Sequence, residues 1–177
     1  MERIPLIDST DEPDELRPVF DELRRTRGRV PGMYRALAHQ PEILAAHRAY
    51  FRAALDSGTL PRAFKEKIAF KVAQLRGSAY SSASHRRYAL QHGVSASEMA
   101  AIELSNYSTL DPSERAALIF AEEVVRTQGA VSDAVFDALA SHFSTGKLVE
   151  ISSLIGIMDL ASTLGAIFDL AAEGDQS

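Results

Sequence analysis

Helical periodicity runs through almost the whole chain, and it is the feature that most limits the possible folds. Apolar residues recur three and four positions apart, and the repeats break at proline and glycine. No stretch alternates apolar and polar residues between hairpin turns, as a half-buried strand would. With 177 residues, 46% of them apolar, the chain predicts an all-α fold in which residues 1–177 form a single helical domain.

Capping residues and helix breakers set the bounds of the predicted helices. Ser9, Thr10 or Asp11 is expected to cap the first helix, and Ser95 with Glu98 has the spacing of a capping box. The predicted helices cover about residues 13–27, 33–40, 41–57, 61–76, 78–91, a short segment from 95, 112–127, 132–142 and 145–171.

The last predicted helix is apolar on all sides. Residues 148–170 contain Glu150, Asp159 and Asp169, a charge density that is costly in lipid, so the sequence favours a buried helix over a membrane span. Gly156 and Gly165 indicate close packing against another helix. That neighbour belongs either to another subunit, which predicts a homo-oligomer, or to the same subunit.

Charge and residue content exclude several classes of function. A net charge of −5 and a pI near 5.5 argue against a nucleic-acid surface. The first residues are acidic without an apolar run, so a cytoplasmic location is expected. The histidines outside the motif discussed below lack the spacing of metal ligands, and the chain has no cysteine, so we expect no metal and no cofactor.

The stretch GSAYSSASH, residues 77–85, places Ser78, Ser81 and His85 on one face of a predicted helix. Serine after a glycine is commonly a helix cap, and a histidine on a helix is commonly structural. The pattern Gly-x-Ser-x-Gly is absent, so serine-based acyl transfer has little support.

Glu66 and the serine stretch together resemble the alkylhydroperoxidase-D / carboxymuconolactone decarboxylase family. Its hallmark is Cys-x-x-Cys-x-x-x-His with a glutamate twelve residues before the first cysteine; Ser78 and Ser81 stand at the cysteine positions and His85 at the histidine position. The resemblance implies a thiol peroxidase with Ser81 in place of the peroxidatic sulfur and Ser78 in place of the resolving one. It also implies a Glu66–His85 proton relay, Tyr80 lining a substrate pocket, and trimers or hexamers with that pocket near a subunit boundary.

The resemblance covers roughly residues 15–170 but departs from the family at the two sulfur positions. Serine cannot carry a peroxide-reducing cycle, which passes through a sulfenic acid and a disulfide. The chain is then an engineered Cys→Ser variant, a natural homologue that has lost redox activity, or a non-redox enzyme that uses Glu66 and His85.

Three functions follow from these alternatives. The first is a thiol peroxidase scaffold in a cysteine-free, redox-inactive form, whose partners would be a peroxide and a dithiol reductant. The second is a decarboxylase-type lyase acting on a small carboxylated lactone or keto acid through Glu66 and His85. The third is a non-catalytic oligomeric binding protein.

Overall fold

The computed structural model describes residues 2–7 and 12–171, and within them it contains helices and no β-strand. The all-α fold is therefore confirmed. That all of the chain forms one domain stays a prediction, and the expected cap at Ser9, Thr10 or Asp11 lies outside the described residues. The helices are α1 (Arg17–Arg27), preceded by a 3-10 turn at Asp14–Leu16, α2 (Gly32–Leu37), α3 (Pro41–Phe51), α4 (Arg62–Leu75), α5 (Ala79–Gln91), α6 (Ala96–Glu103), α7 (Pro112–Thr127), α8 (Asp133–Ala140) and α9 (Thr145–Phe168).

Side-chain caps mark where some of the described helices begin. Ser95 and Glu98 form the predicted capping box at the start of α6, and the Asp111 side chain caps α7. The region after α3 differs from the prediction, because the helix winds into a π-helical turn at Arg52–Asp56 before it ends. Thr59 does not cap α4; its hydroxyl and its N–H donate to Glu150 on α9.

Helix α4 is the central helix and packs against α5, α7 and α9. It is buried on all sides from Phe64 to Ala73, including four charged side chains. The sequence did not predict this, because lysines spaced along a helix ordinarily mark a solvated face.

Each buried lysine of α4 has carboxylate partners on other helices. Lys65 meets Glu150 at 2.5 Å. Lys67 bridges Glu98 and Glu114, at 2.8 and 2.7 Å. Lys71 lies 3.1 Å from Glu122 and donates to Ser105, Gln74 and the carbonyl of Ile102. Since an unpaired buried charge is strongly destabilising, these pairs fix how α6, α7 and α9 sit around α4.

The described residues form two apolar cores. The larger core joins α4 to α7 and α9, with Ile68, Leu118 and Ile155 at its centre. The smaller core is built by α1, α2 and the start of α3 around Phe20 and Leu44. Helices α2 and α3 pack on α9, which also contacts α4 and α5, so α9 joins the two cores.

Helix α9 is long and apolar enough to cross a membrane by length and composition, with 39% of its most apolar 18-residue window buried. A core helix passes the same test, and α9 packs on α4, α5 and α7 through residues that include Ile151, Leu154 and Met158. The prediction of a buried helix therefore holds for one side of α9. Of its glycines, Gly165 lies close to Met33 and Ser78, whereas nothing lies within 4 Å of a Cβ built at Gly156.

Glu150 ties the loop before α4 to α9. Burial alone would raise its pKa, but the Lys65 ammonium and the N–H groups of Thr59 and Leu60 lower the pKa to about 2. Gly58 has a φ of 95°, and a Cβ there would clash with the Glu150 carboxylate, so this loop requires glycine.

We expect Glu150→Gln to lower the free energy of unfolding at pH 7 by about 3 kcal/mol, because it leaves Lys65 buried without a counter-charge. A folded-state pKa below the ordinary value stabilises the fold above about pH 4.5, and this contribution is lost as the pH falls towards 2. Urea unfolding of both proteins from pH 7 to pH 2 measures the difference. The exposed Glu15→Gln is the matched control; a difference between Glu150→Gln and the parent chain that does not shrink with falling pH would contradict the assignment.

Candidate functional site

Glu66 of α4 and His85 of α5 form a buried pair. Glu66 Oε2 lies 2.7 Å from His85 Nδ1, with Glu66 0% and His85 7% exposed. The two helices are joined by a tight turn in which Gly77 has a φ of 65°, so that they pack side by side and the two side chains face each other. The structure thus brings together the two residues of the predicted proton relay.

The electrostatic environment keeps Glu66 ionised. Burial alone would raise its pKa, but the neighbouring His85 and the Arg62 guanidinium outweigh burial and hold the pKa below its ordinary value. Two nitrogen atoms of Arg62 lie 2.6 Å from Glu66 Oε1. A carboxylate at this position accepts a hydrogen bond from the Nδ1–H of His85. This leaves Nε2 as the ring nitrogen available for proton transfer.

A chain of ion pairs continues from Glu66 towards the surface. Arg62 donates to Asp56 at 2.5 Å, Arg48 donates to Asp56 at 2.9 Å, and Arg48 also reaches Glu22 at 2.9 Å. Burial alone would raise the pKa of Asp56, but the hydrogen bonds from Arg48 and Arg62 outweigh burial and hold the pKa below its ordinary value. The chain holds Arg62 in place and thereby fixes the orientation of the Glu66 carboxylate.

The two serines of the motif occupy different positions. The Ser78 hydroxyl caps α5 by accepting from the Ser81 N–H at 3.3 Å. Ser81 is buried and lines a cavity of about 40 Å³ together with His85, Tyr80 and Ser84. The Tyr80 hydroxyl lies 3.5 Å from the backbone N–H of Met33 and accepts from it.

The rest of the cavity wall comes from residues that the sequence did not predict for this site. They belong to the end of α1 and to α2, α3 and α9. Those with charged or polar side chains are Arg27, Tyr34 and His47. The Arg27 guanidinium lies over the rings of Phe51 and Tyr88, with centroid distances of 5.2 and 5.6 Å. No spacing in the sequence links residues 27–47 to residues 66–85, so only tertiary packing reveals these contacts.

The arrangement is suited to acid–base chemistry. It combines a buried carboxylate–imidazole pair, a cation, and hydroxyl groups around a small cavity. Among the described residues no group of three or more histidine, aspartate or glutamate side chains is placed to hold a metal ion.

Comparisons with known proteins show which sequences and folds this chain is similar to. Residues 41–123 match the Carboxymuconolactone decarboxylase family. The uncharacterized protein YnjA of Escherichia coli K12 is 38% identical to this chain over 61 residues. The match covers 34% of this chain and 34% of YnjA.

Solved structures share the fold across nearly the whole chain. A peroxidase-related protein from Ralstonia eutropha JMP134, described as an alkylhydroperoxidase AhpD core, has a TM-score of 0.87 and 22% identity, covering 98% of this chain and 93% of that one. A peroxidase-related protein from Silicibacter sp. TM1040 has a TM-score of 0.86 and 21% identity, covering 98% and 91%.

A third structure of the same fold has a different activity in its name. It is a cysteine-to-alanine variant of the debrominase Bmp8 in complex with 2,3,4-tribromopyrrole, with a TM-score of 0.86 and 22% identity, covering 98% of this chain and 95% of that one. At these identities the likeness establishes the fold and not the reaction. Residues 41–123 are thus similar to the carboxymuconolactone decarboxylase family, and the described part of the chain has the fold of alkylhydroperoxidase AhpD.

Proposed function

We propose that this protein is a non-redox lyase that decarboxylates a small carboxylated lactone or keto acid. The observation that carries the proposal is the buried Glu66–His85 pair at the cavity, with Glu66 held as a carboxylate by Arg62. Both members of the pair lie within the segment that matches the decarboxylase family. The reaction needs a proton donor and no sulfur, which fits a chain without cysteine.

In the proposed step the bond between the substrate's carbon and its carboxylate breaks and CO₂ leaves. The electron pair stays on that carbon, conjugated with the neighbouring carbonyl, and the imidazolium Nε2–H of His85 supplies the proton that forms the new C–H bond. The Glu66 carboxylate stabilises the imidazolium before transfer. His85 regains its proton from solvent.

Arg27 supports a carboxylated substrate. Its guanidinium lies at the cavity, held between two aromatic rings, and its acidic neighbour Asp56 is 3.9 Å away and shared with Arg48 and Arg62. A carboxylate entering the cavity therefore meets a positive charge that is not fully neutralised.

Assay of CO₂ release tests the proposal. The unmutated chain is incubated with a panel of small β-keto acids and carboxylated γ-lactones, and release above the rate in buffer is the expected result. Absence of release across the whole panel would overturn the proposal and favour a non-catalytic binding protein.

A second candidate is a thiol peroxidase scaffold that lacks its sulfur. It is favoured by the position of Ser81, which lies one turn before His85 on α5 and lines the same cavity, with Ser78 one turn further back. The peroxidase-related structures of the same fold support it as well. In this alternative the partners of the cysteine form are a peroxide and a dithiol reductant, and the chain as it stands is inactive towards peroxides.

We also propose that the chain forms a homo-oligomer, a trimer or hexamer, in the cytoplasm. An apolar groove of about 730 Å³ runs between α2–α3 and α9, and its wall includes Ile43, Tyr50 and Leu160. The outer face of α9 continues this surface with exposed Val149 and Ile167. A second copy of the chain is the occupant we propose, because a surface this apolar needs a permanent cover.

Leu160→Glu should break the oligomer. Leu160 is 46% exposed and lies in the groove, so a glutamate there places a carboxylate in the contact and should raise the dissociation constant at least about tenfold. Light scattering after size exclusion measures the mass. Leu104, 78% exposed at the end of α6, provides the control Leu104→Glu, and equal masses for the two variants would refute this interface.

A further inference from the structure

Two polar side chains on the cavity wall have no hydrogen-bond partner in the protein. They are Tyr34, 3% exposed, and His47, 7% exposed; neither the Tyr34 hydroxyl nor either ring nitrogen of His47 contacts a donor or acceptor among the described residues. Buried polar atoms are almost always hydrogen-bonded, so an orphaned cluster needs an explanation. Both residues line the cavity that holds Ser81 and His85.

The two orphaned side chains are held rigidly by aromatic packing. The rings of Tyr34 and His47 meet edge to face at a centroid distance of 5.9 Å, and His47 stacks on Phe51 at 6.0 Å. Tyr34 also meets Phe51 edge to face at 6.4 Å. This three-ring cluster fixes the polar groups of two different helices, α2 and α3, at one place. Neither side chain can therefore satisfy its polar atoms by turning to solvent.

The protonation states define what the cluster can bind. Burial and the neighbouring Arg48 lower the pKa of His47, so its ring is neutral, with one donor and one acceptor. Burial raises the pKa of Tyr34, so its hydroxyl is a donor. Two donors beside the Arg27 cation match the oxygen atoms of a carboxylate.

We propose that Tyr34 and His47 form, with Arg27, the site that binds the substrate's carboxylate or the carboxylate of a competing ligand. In this arrangement the Tyr34 O–H and the His47 N–H donate to the carboxylate oxygens, and the reacting carbon lies towards His85, which lines the same cavity. The assignment of the ligand as a substrate rests on the proposed function; the carboxylate site itself does not. The cavity of about 40 Å³ requires the bound head group to be small.

Binding of acetate tests the site without any turnover. Acetate and its neutral isostere acetamide are titrated into the full chain, and the histidine ring signals are followed by NMR. We expect acetate to bind and acetamide to bind at least about tenfold more weakly, since the donors and Arg27 favour an anion. Tyr34→Phe and His47→Phe should each weaken acetate binding about tenfold. The matched control is His142→Phe, at an exposed position, which should leave it unchanged.

Thermal unfolding separates ligand binding from a structural role. The Tyr34 hydroxyl bonds to nothing in the protein, so Tyr34→Phe should leave the Tm of the unliganded chain unchanged or raise it, while the acetate-induced rise in Tm is lost. A lowered Tm without a change in acetate affinity would overturn the inference. So would failure of the unmutated chain to bind acetate, or equal affinity in all variants.

A variant of the proton donor distinguishes failure of this site from failure of the proposed function. His85→Gln should still bind acetate, because the site does not need the imidazole. If Tyr34→Phe loses acetate binding while the unmutated chain decarboxylates nothing, the carboxylate site stands and the lyase proposal fails. If the unmutated chain releases CO₂ but Tyr34→Phe and His47→Phe bind acetate as tightly as it does, the lyase proposal stands and the carboxylate site is wrong.

Discussion

His85→Gln is expected to reduce the kcat of decarboxylation by about two to four orders of magnitude. The imidazole pairs with the buried carboxylate of Glu66 and is the proton donor of the proposed step. Glutamine keeps an N–H that can donate to Glu66, so the buried carboxylate retains a partner and the fold survives. The variant therefore removes proton transfer with little change to the packing around α4 and α5.

Rates of CO₂ release at saturating substrate, with circular dichroism of each variant, measure the effect. His142→Gln changes an exposed histidine of the same chain and should keep the parental rate. Glu66→Gln should reduce kcat less than His85→Gln, because the imidazole stays in place while its counter-charge is gone. A folded His85→Gln protein that retains kcat within about threefold would show that the proton comes from elsewhere.

The helices were largely predictable because their ends depend on local chemistry. Asp111 with Pro112 begins α7 at the predicted residue, and the Ser95 capping box begins α6. The end of α3 was not predictable, since a π-helical turn depends on tertiary contacts of Arg48 and Asp56 and has no signal in a single sequence.

The Glu66–His85 contact could be expected from the sequence only through its family resemblance, which implies a proton relay between these two residues. The contribution of Tyr34 and His47 could not be expected. They reach the cavity because α2 and α3 pack on α9, and their separation from His85 along the chain carries no periodicity. The buried lysines of α4 were missed for the same reason, since their partners, such as Glu122, lie on distant helices.

Ser78→Cys/Ser81→Cys is expected to give the chain a peroxidase activity that it now lacks. A cysteine at 81 would lie in the first turn of α5, where the helix dipole favours a thiolate, and one turn before His85. Its sulfur would attack the peroxide, forming an S–O bond as the O–O bond breaks and an alcohol leaves with a proton from His85. Residues three apart in a helix have Cα atoms about 5 Å apart, within disulfide range, so the thiol at 78 can then displace water from the sulfenic acid.

The measurement is consumption of tert-butyl hydroperoxide coupled to dithiothreitol as the dithiol reductant. Loss of the Ser78 cap should cost about 1 kcal/mol of stability, which the assay tolerates. Ser78→Cys/Ser82→Cys carries the same number of thiols with the second one outside the cavity lining, and it should show only the slow background of an ordinary thiol. Equal rates for the two double variants would mean that the cavity and its Glu66–His85 pair do not activate sulfur, and the peroxidase alternative would then be wrong for this scaffold.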